Sequence, residues 1–268
     1  MKRKFHPLLR TITSIVENVY SDALFLTVAL VVVSCSEPYE VDKTQKIASS
    51  NVTNEQSSVS AQAASNLPSF PSDPSAFVDE ISNPYLAFEI GKIFQYESET
   101  DEGLERVMVE VTNEKKMILG VATTVVHDRV FLDGELIEDT FDWFAEDEDG
   151  NVWYFGEDSR EIEDGEVVST EGSWEAGVNG AMPGIIMLAN PKNGMKYQQE
   201  FAPDIAEDMA IVVNTDKTVE IGLGVFEGCL TTMEFSPLEP GHREPKYYHP
   251  GTGLILEGDD VELVSVSP

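Results

Sequence analysis

The chain has 268 residues, enough for one domain with a sizeable core in addition to a terminal segment. It carries 49 acidic against 17 basic residues, a formal net charge of −32. This charge argues against nucleic acid as a partner and against direct adsorption to an anionic membrane surface, because like charges repel. Such a surface is either a solubility feature or a surface that binds cations, and composition does not separate the two.

The first residues have the order of a signal peptide. A basic start, with Lys2 and Arg3, precedes the apolar run Ala23–Val33, which is shorter than the about 20 residues that a membrane-spanning helix needs. The run ends at Val32-Val33-Ser34-Cys35, which resembles the lipobox of bacterial lipoproteins. The resemblance implies that residues 1–34 are removed and that Cys35 is acylated. The alternative is an incidental cysteine in a plain signal peptide.

The lipobox resemblance also predicts a location. It implies an extracytoplasmic protein anchored by lipid to a bacterial membrane, because several acyl chains hold a protein without a spanning helix. Ser36, rather than Asp, follows the cysteine, and this resembles lipoproteins sent to an outer membrane. The predicted partner is therefore a membrane, reached through the lipid.

Residues 35–76 have the composition of a linker. Serine is frequent, prolines interrupt the end, and the sparse apolar residues show no period. Such a stretch buries too little surface to offset its chain entropy, so we predict a disordered tether with a reach of roughly 35 Å. Across the end of this stretch, residues 75–82 predict one short helix, with Ser75 as its N-cap.

Residues 77–268 predict a single acidic β domain. Apolar residues alternate with polar ones, and Asp-Gly or Asn-Gly pairs recur between apolar runs at residues 133–134, 149–150, 164–165 and 193–194. We therefore predict an all-β fold, an antiparallel meander of about ten to thirteen strands that forms a curved sheet, an up-and-down barrel or a sandwich. In the stretch 136–147, the apolar face contains Ile137, Phe141 and Trp143, and we expect it to be the buried one.

The best metal candidate is the segment "DEDGNVWYFGED", residues 147–158. Asp147, Asp149, Asn151 and Asp158 stand at positions 1, 3, 5 and 12 of an EF-hand-like loop, and calcium prefers such alternating oxygens. Position 6, which requires a sharp turn, is Val152, and a β-branched residue resists positive φ. The alternative is a hairpin turn at residues 149–150 with solvated acids around it. No other cofactor is indicated.

Aromatic residues provide a second candidate site. Trp153, Tyr154 and Trp174 could form a platform on which a sugar stacks, although at strand spacing aromatics often divide between core and surface. Paired carboxylates could also hydrolyse a glycan, but acids are so abundant that some pair will be close by chance. The chain has no G-x-S-x-G, H-E-x-x-H, Gly-rich phosphate loop or C-x-x-C, and the strand-like surroundings of Cys229 predict a buried thiol.

Three segments of the domain resemble an uncharacterised family of secreted bacterial β-rich lipoproteins and hypothetical proteins. They are "GNVWYFGED", "STEGSWEAGVNGAMPGIIM" and "YYHPGTGLILEG". The resemblance covers residues 84–266. It implies a β-sheet fold and no established activity, so it supplies no catalytic residue.

These observations leave three functional hypotheses. The first is a lipid-anchored, non-enzymatic binding or structural domain whose ligand is an unknown envelope protein or polysaccharide. The second is a calcium-dependent binding protein that uses the loop 147–158. The third is a carboxylate-based glycan hydrolase. No catalytic residue is predicted.

Overall fold

The computed structural model describes residues 67–268, and the fold is all-β, as the sequence predicts. Fifteen antiparallel strands form one nearly closed, barrel-like sheet. The one helical element of the described residues is a 3-10 turn, Pro74–Ala76, so the helix predicted over 75–82 is wrong. Asp73 caps this turn by accepting from the Ser75 amide, and Phe77 is already extended. Residues 67–268 contain no helix with the length and hydropathy that a membrane crossing requires.

The strands are numbered in chain order. They are β1 (Ile93–Thr100), β2 (Gly103–Ile118), β3 (Val121–Leu132), β4 (Glu135–Glu146), β5 (Val152–Glu163), β6 (Glu166–Ser169), β7 (Trp174–Glu175), β8 (Met182–Met187), β9 (Lys196–Gln198), β10 (Glu200–Phe201), β11 (Met209–Ile221), β12 (Gly224–Phe235), β13 (Glu244–His249), β14 (Gly253–Glu257) and β15 (Val261–Ser267). The number exceeds the predicted range because β6, β7, β9 and β10 are only two to four residues long.

The order of the strands nearly closes the sheet. Hydrogen-bonded neighbours run β10-β8-β5-β4-β3-β2-β1-β15-β14-β13-β12-β11-β9, and β6 and β7 pair with β5 off this path. The two ends of the order, β9 and β10, are consecutive in the chain and are separated only by Gln199. The chain therefore brings both edges of the sheet together at one residue.

The predicted Asp-Gly turns connect strands as hairpins. Asp133-Gly134 joins β3 to β4 with φ of 50° and 89°, and Asp164-Gly165 joins β5 to β6 with φ of 53° and 79°. Both residues of each pair have positive φ, which the twist of a two-residue hairpin requires. The pair Leu119-Gly120 makes the same kind of turn between β2 and β3, although Leu119 has no sequence signal for its φ of 51°.

The chain already packs against the sheet before residue 77. The Phe70 ring makes edge contacts with Trp153 at 5.2 Å and with Phe155 at 5.9 Å between centroids. The segment then continues along the loop between β4 and β5, where Phe77 forms a β-bridge with Asp147. The described part of the chain therefore starts its packing inside the segment that the sequence predicts to be tether.

Candidate functional site

The inner face of β4 is polar. Glu138, Thr140 and Asp142 are only 5%, 4% and 0% exposed, so this polar face of the strand is buried as well. On the opposite face, the Phe141 ring is half-buried and stacks on His127 at 4.2 Å. Ile137 and Trp143 on that face are buried as predicted, at 7% and 6% exposed. The burial of the polar face was missed because a period of two separates two faces without indicating whether both are covered.

Acids from five places in the chain converge inside the sheet. We call this set the inner cluster: Asp128, Asp142, Glu157, Glu200 and Asp208, all at most 6% exposed. The register explains part of it, because Asp142 on β4 lies directly opposite Glu157 on β5. Glu200 arrives from the sheet edge, where β10 pairs with β8. Asp208 accepts hydrogen bonds from the Gln199 and Glu200 amides through its backbone carbonyl.

Burial keeps protons on several of these carboxyls. It raises the pKa of Asp142 to about 7, against a hydrogen bond from Tyr154 that lowers it, and Glu138 raises it further. The pKa values of Asp128 and Glu200 are raised well above the ordinary range, first by burial and then by neighbouring acids, which include Asp142 in both cases. A carboxyl that cannot reach water holds its proton because the charged form is poorly solvated there.

Several buried oxygens of the inner side chains have no hydrogen-bond partner. They are Asp128 Oδ1, Asp142 Oδ2, Gln199 Oε1, Glu257 Oε2 and both carboxyl oxygens of Glu200. One donor without a partner, the indole N–H of Trp174, lies beside Glu200 and lowers the pKa of that carboxyl. Buried polar atoms are almost always paired, so an acceptor-rich set of this kind requires an explanation.

Two of the three aromatic residues predicted to bind a ligand border the inner cluster. Tyr154 is fully buried, donates to Asp142 Oδ1 at 2.6 Å, and meets the Trp174 ring edge-on at 5.3 Å. Trp153 lies on the other face of β5, where it packs on Phe70. The structure therefore brings Tyr154 and Trp174 together and leaves Trp153 apart from them.

A buried lysine centre lies beside the inner cluster. Lys246 Nζ on β13 is 3.3 Å from Glu234 and 3.4 Å from Glu257, on the two neighbouring strands. Burial lowers the pKa of Lys246, but Glu234, Glu257 and Glu244 outweigh it and raise the pKa overall. Glu234 also accepts from Gln199 at 3.0 Å. The charge of Lys246 is thus balanced by Glu234 and Glu257.

The residues predicted to bind calcium have protein partners. The Asp147 carboxylate accepts from the Asp149 amide, from the backbone and side chain of Asn151, and from Trp153 Nε1, at 2.8 to 3.2 Å. The Asn151 side-chain oxygen accepts from Ala189. Asp158, on β5, pairs with Arg160 at 2.6 Å. Within the described part of the chain, no group of three or more His, Cys, Asp or Glu side chains is arranged to hold a metal ion.

Two cysteine predictions remain to be placed. Cys229 on β12 is 0% exposed, as its strand-like surroundings predict, and burial raises its pKa. Cys35, the predicted site of acylation, lies outside the described residues.

Comparison with protein-family models, with curated proteins and with solved structures found no match to this chain.

Proposed function

We propose that the chain is a lipid-anchored extracytoplasmic binding domain, not an enzyme, and that its inner cluster binds a small organic cation rich in N–H donors. A primary amine carried by an envelope polymer or protein has this chemistry. The anchor rests on the lipobox-like sequence at Cys35. The ligand class rests on the inner face of the sheet.

The observation that carries the ligand class is Glu200. Its carboxyl group is 0% exposed, and neither oxygen has a hydrogen-bond partner, although Asp142 and Glu157 are among its charged neighbours. An ammonium group would donate hydrogen bonds to these oxygens, and its positive charge would balance the acids that ionise. The rings of Tyr154 and Trp174 add faces that attract a cation.

The test uses putrescine and methylammonium as probes, with uncharged 1,4-butanediol as a matched control for putrescine. Calorimetric titration of the full chain at pH 7, in two buffers of different ionisation enthalpy, should detect binding of the amines with release of protons. The protons leave because a bound cation lowers the raised pKa values of the inner carboxyls.

The matched variants separate the inner cluster from the acidic surface. Glu200→Gln should weaken amine binding at least about tenfold, while Glu227→Gln, at an exposed position, should leave it unchanged. Equal effects of the two variants, or no binding of either amine, would overturn the assignment of the ligand class.

A second candidate function, glycan hydrolysis by carboxylates, is favoured by Asp142. A carboxyl with a pKa of about 7 that faces a second acid on the neighbouring strand has the character of a general acid. The test is turnover on a glycan panel by the full chain and by Asp142→Asn. If the wild type turns over a glycan and Asp142→Asn does not, the result would favour an enzyme over a binding domain.

Lipid anchoring has its own test. In a bacterial host the mature chain should start at Cys35, carry acyl chains in its intact mass and partition with the membrane fraction. Cys35→Ser should abolish the acyl mass. The Cys229→Ser variant is the control for the other thiol, which lies buried in β12. An unmodified Cys35 in the mature chain would contradict the anchor.

A further inference from the structure

The segment 77–92, which we call the strap, crosses one end of the barrel. Ile81, Leu86 and Phe88 are the strap residues with the most deeply buried apolar side chains, at 8%, 3% and 7% exposed. The strap makes no strand of its own apart from the single β-bridge at Phe77. It covers the end of the barrel by side-chain packing and by isolated backbone hydrogen bonds, from the Val78 amide to the Glu146 carbonyl and from the Gly251 amide to the Pro84 carbonyl.

A short series of contacts leads from the strap to the inner cluster. The Phe88 ring lies 5.5 Å from that of Phe144, and Phe144 stacks on Tyr154 at 4.7 Å. Tyr154 in turn donates to Asp142. Phe88 is thus the outermost member of the series and the plug at this end of the barrel.

One carboxylate fastens the middle of the strap through three hydrogen bonds. Glu146, at the end of β4, accepts from the Ser82 amide at 2.6 Å, the Ser82 hydroxyl at 2.7 Å and the Asn83 amide at 2.7 Å. The Asn83 side chain donates to the carbonyls of Gly150 and Leu188. These attachments lie on loops and strand ends, whereas the last strap residues, Gly91 and Lys92, exchange backbone hydrogen bonds with Val111 on β2. The part of the strap before Gly91 can therefore separate while the ladders of the sheet stay intact.

The strap leaves a small apolar hollow beneath it and joins the sheet at a glycine. Leu86 and Phe88 face Phe94 and Tyr248 across an apolar hollow of about 20 Å³, about the space of one water molecule. Gly91, at φ +93°, donates its amide to the Val111 carbonyl, so the strap joins the sheet at this glycine and any movement takes place before it.

We infer that the strap is the gate of the inner cluster and that Glu146 is its latch. When the Glu146 contacts break, Phe88 leaves the end of the barrel, the Phe144 ring behind it becomes free to move, and small molecules reach Asp142 and Glu200 past Tyr154 from that side. The inference rests on the proposed function for the nature of the ligand, but the gating itself can be measured without a ligand.

The experiment labels carboxyl groups of the full chain with a water-soluble carbodiimide and glycine ethyl ester and reads the sites by mass spectrometry. Glu200 and Asp142 should label slowly in the wild type. Glu146→Gln should label them about tenfold faster, the change expected when a charge-assisted hydrogen bond becomes a neutral one. The control is Glu148→Gln, an exposed neighbour whose amide donates to the carbonyl of Ala76, the residue just before the strap.

A crosslink tests the gate in the opposite direction. A β-carbon at Gly253 would lie 3.8 Å from that of Ala87, which is the separation found in disulfides. In the oxidised double variant Ala87→Cys, Gly253→Cys, labelling of Glu200 and Asp142 should stop, and reduction should restore it. In the two single variants, oxidation should leave the labelling unchanged.

The outcomes separate gating from unfolding and from ligand choice. Hydrogen exchange of β11 and β12 should be the same in Glu146→Gln and in the wild type, because only the strap opens. Unchanged labelling in Glu146→Gln, or labelling that the disulfide does not slow, would overturn the gate. If putrescine does not bind but labelling responds as described, the gate stands and the ligand class fails.

Discussion

Gly184 lies where the backbone of Gln199 passes closest to strand β8. A β-carbon at Gly184 would be 2.1 Å from the Gln199 carbonyl oxygen and 2.8 Å from the Glu200 amide nitrogen. Both are backbone atoms, so no side chain can rotate away to relieve the contact. The position of Glu200 inside the barrel therefore depends on the absence of a side chain at residue 184.

We predict that Gly184→Ala lowers the free energy of unfolding by about 3 kcal/mol, because the backbone of β10 must move. Urea unfolding of the full chain measures it. Gly222→Ala is the matched control, because its φ is also not positive and its new β-carbon would meet only Glu262 Oε2 at 3.4 Å. Similar losses in the two variants would show that close approach at Gly184 is not the cause.

Asp142 gives the protein a pH dependence of defined sign. Its pKa rises from 3.8 to about 7 on folding, so the folded state holds the Asp142 proton more tightly than the unfolded state does. The contribution of Asp142 to stability is therefore full below about pH 4, is lost as the pH rises towards 7, and changes no further above that.

We predict that Asp142→Asn reduces this fall between pH 4 and pH 7 by about 2–4 kcal/mol, because the amide cannot ionise yet still accepts from Tyr154. Urea unfolding at pH 4, 5, 6, 7 and 8 measures the difference from the wild type. Asp158→Asn, at a half-exposed acid paired with Arg160, should retain the wild-type fall. If the unfolding free energies of Asp142→Asn and the wild type change with pH in parallel, the raised pKa of Asp142 would be disproved.

At the scale of elements, strand β4 has one polar and one aromatic face, and both are covered. The inner face bears Glu138, Thr140 and Asp142. On the outer face, the Lys116 ammonium lies 3.1 Å from the centre of the Trp143 ring. The stem of a lysine can cover apolar surface while its charge remains near water, so the outer aromatics need no second layer of sheet.

The segment before the strap is an element of the fold as well. We predict that Phe70→Ala costs about 2 kcal/mol of unfolding free energy in the full chain, since it removes ring contacts with Trp153 and Phe155. Ser69→Ala, at the exposed neighbouring position, should change it by less than about 0.5 kcal/mol. Thermal or urea unfolding distinguishes the two, and equal effects would mean that residue 70 does not stabilise the domain.

At the scale of the whole molecule, the charge of −32 repels itself. We predict that sodium chloride raises the melting temperature of the full chain through screening, and that calcium at matched ionic strength gives no rise beyond that of magnesium. The reason is that the Asp147 carboxylate already accepts several protein hydrogen bonds. Thermal unfolding with chelator, calcium, magnesium and sodium measures this.

The alternative has a clear signature in the same measurement. A calcium-specific rise that Asp149→Asn removes would favour the calcium-dependent binding protein. In that case the acids of the loop between β4 and β5 would hold the metal without the help of Asp158, which pairs with Arg160.

The sequence alone determined the class of the fold, because its signals are local. Alternation with a period of two predicts strands, and Asp-Gly pairs predict hairpins through the positive φ that both residues tolerate, as at residues 133–134. The burial of Cys229 followed from the same pattern. The lipobox-like segment at Cys35 is equally local and remains a prediction.

Only the tertiary structure decided which side of each strand became the inside. Closure of the sheet at Gln199 encloses the polar face of β4 and brings Glu200 next to Asp142, although the two are far apart in the chain. Burial then changes the pKa of these acids, so their charge also depends on distant neighbours. Local pattern cannot contain this information, because sidedness and burial arise from contacts between strands that the chain brings together only when it folds.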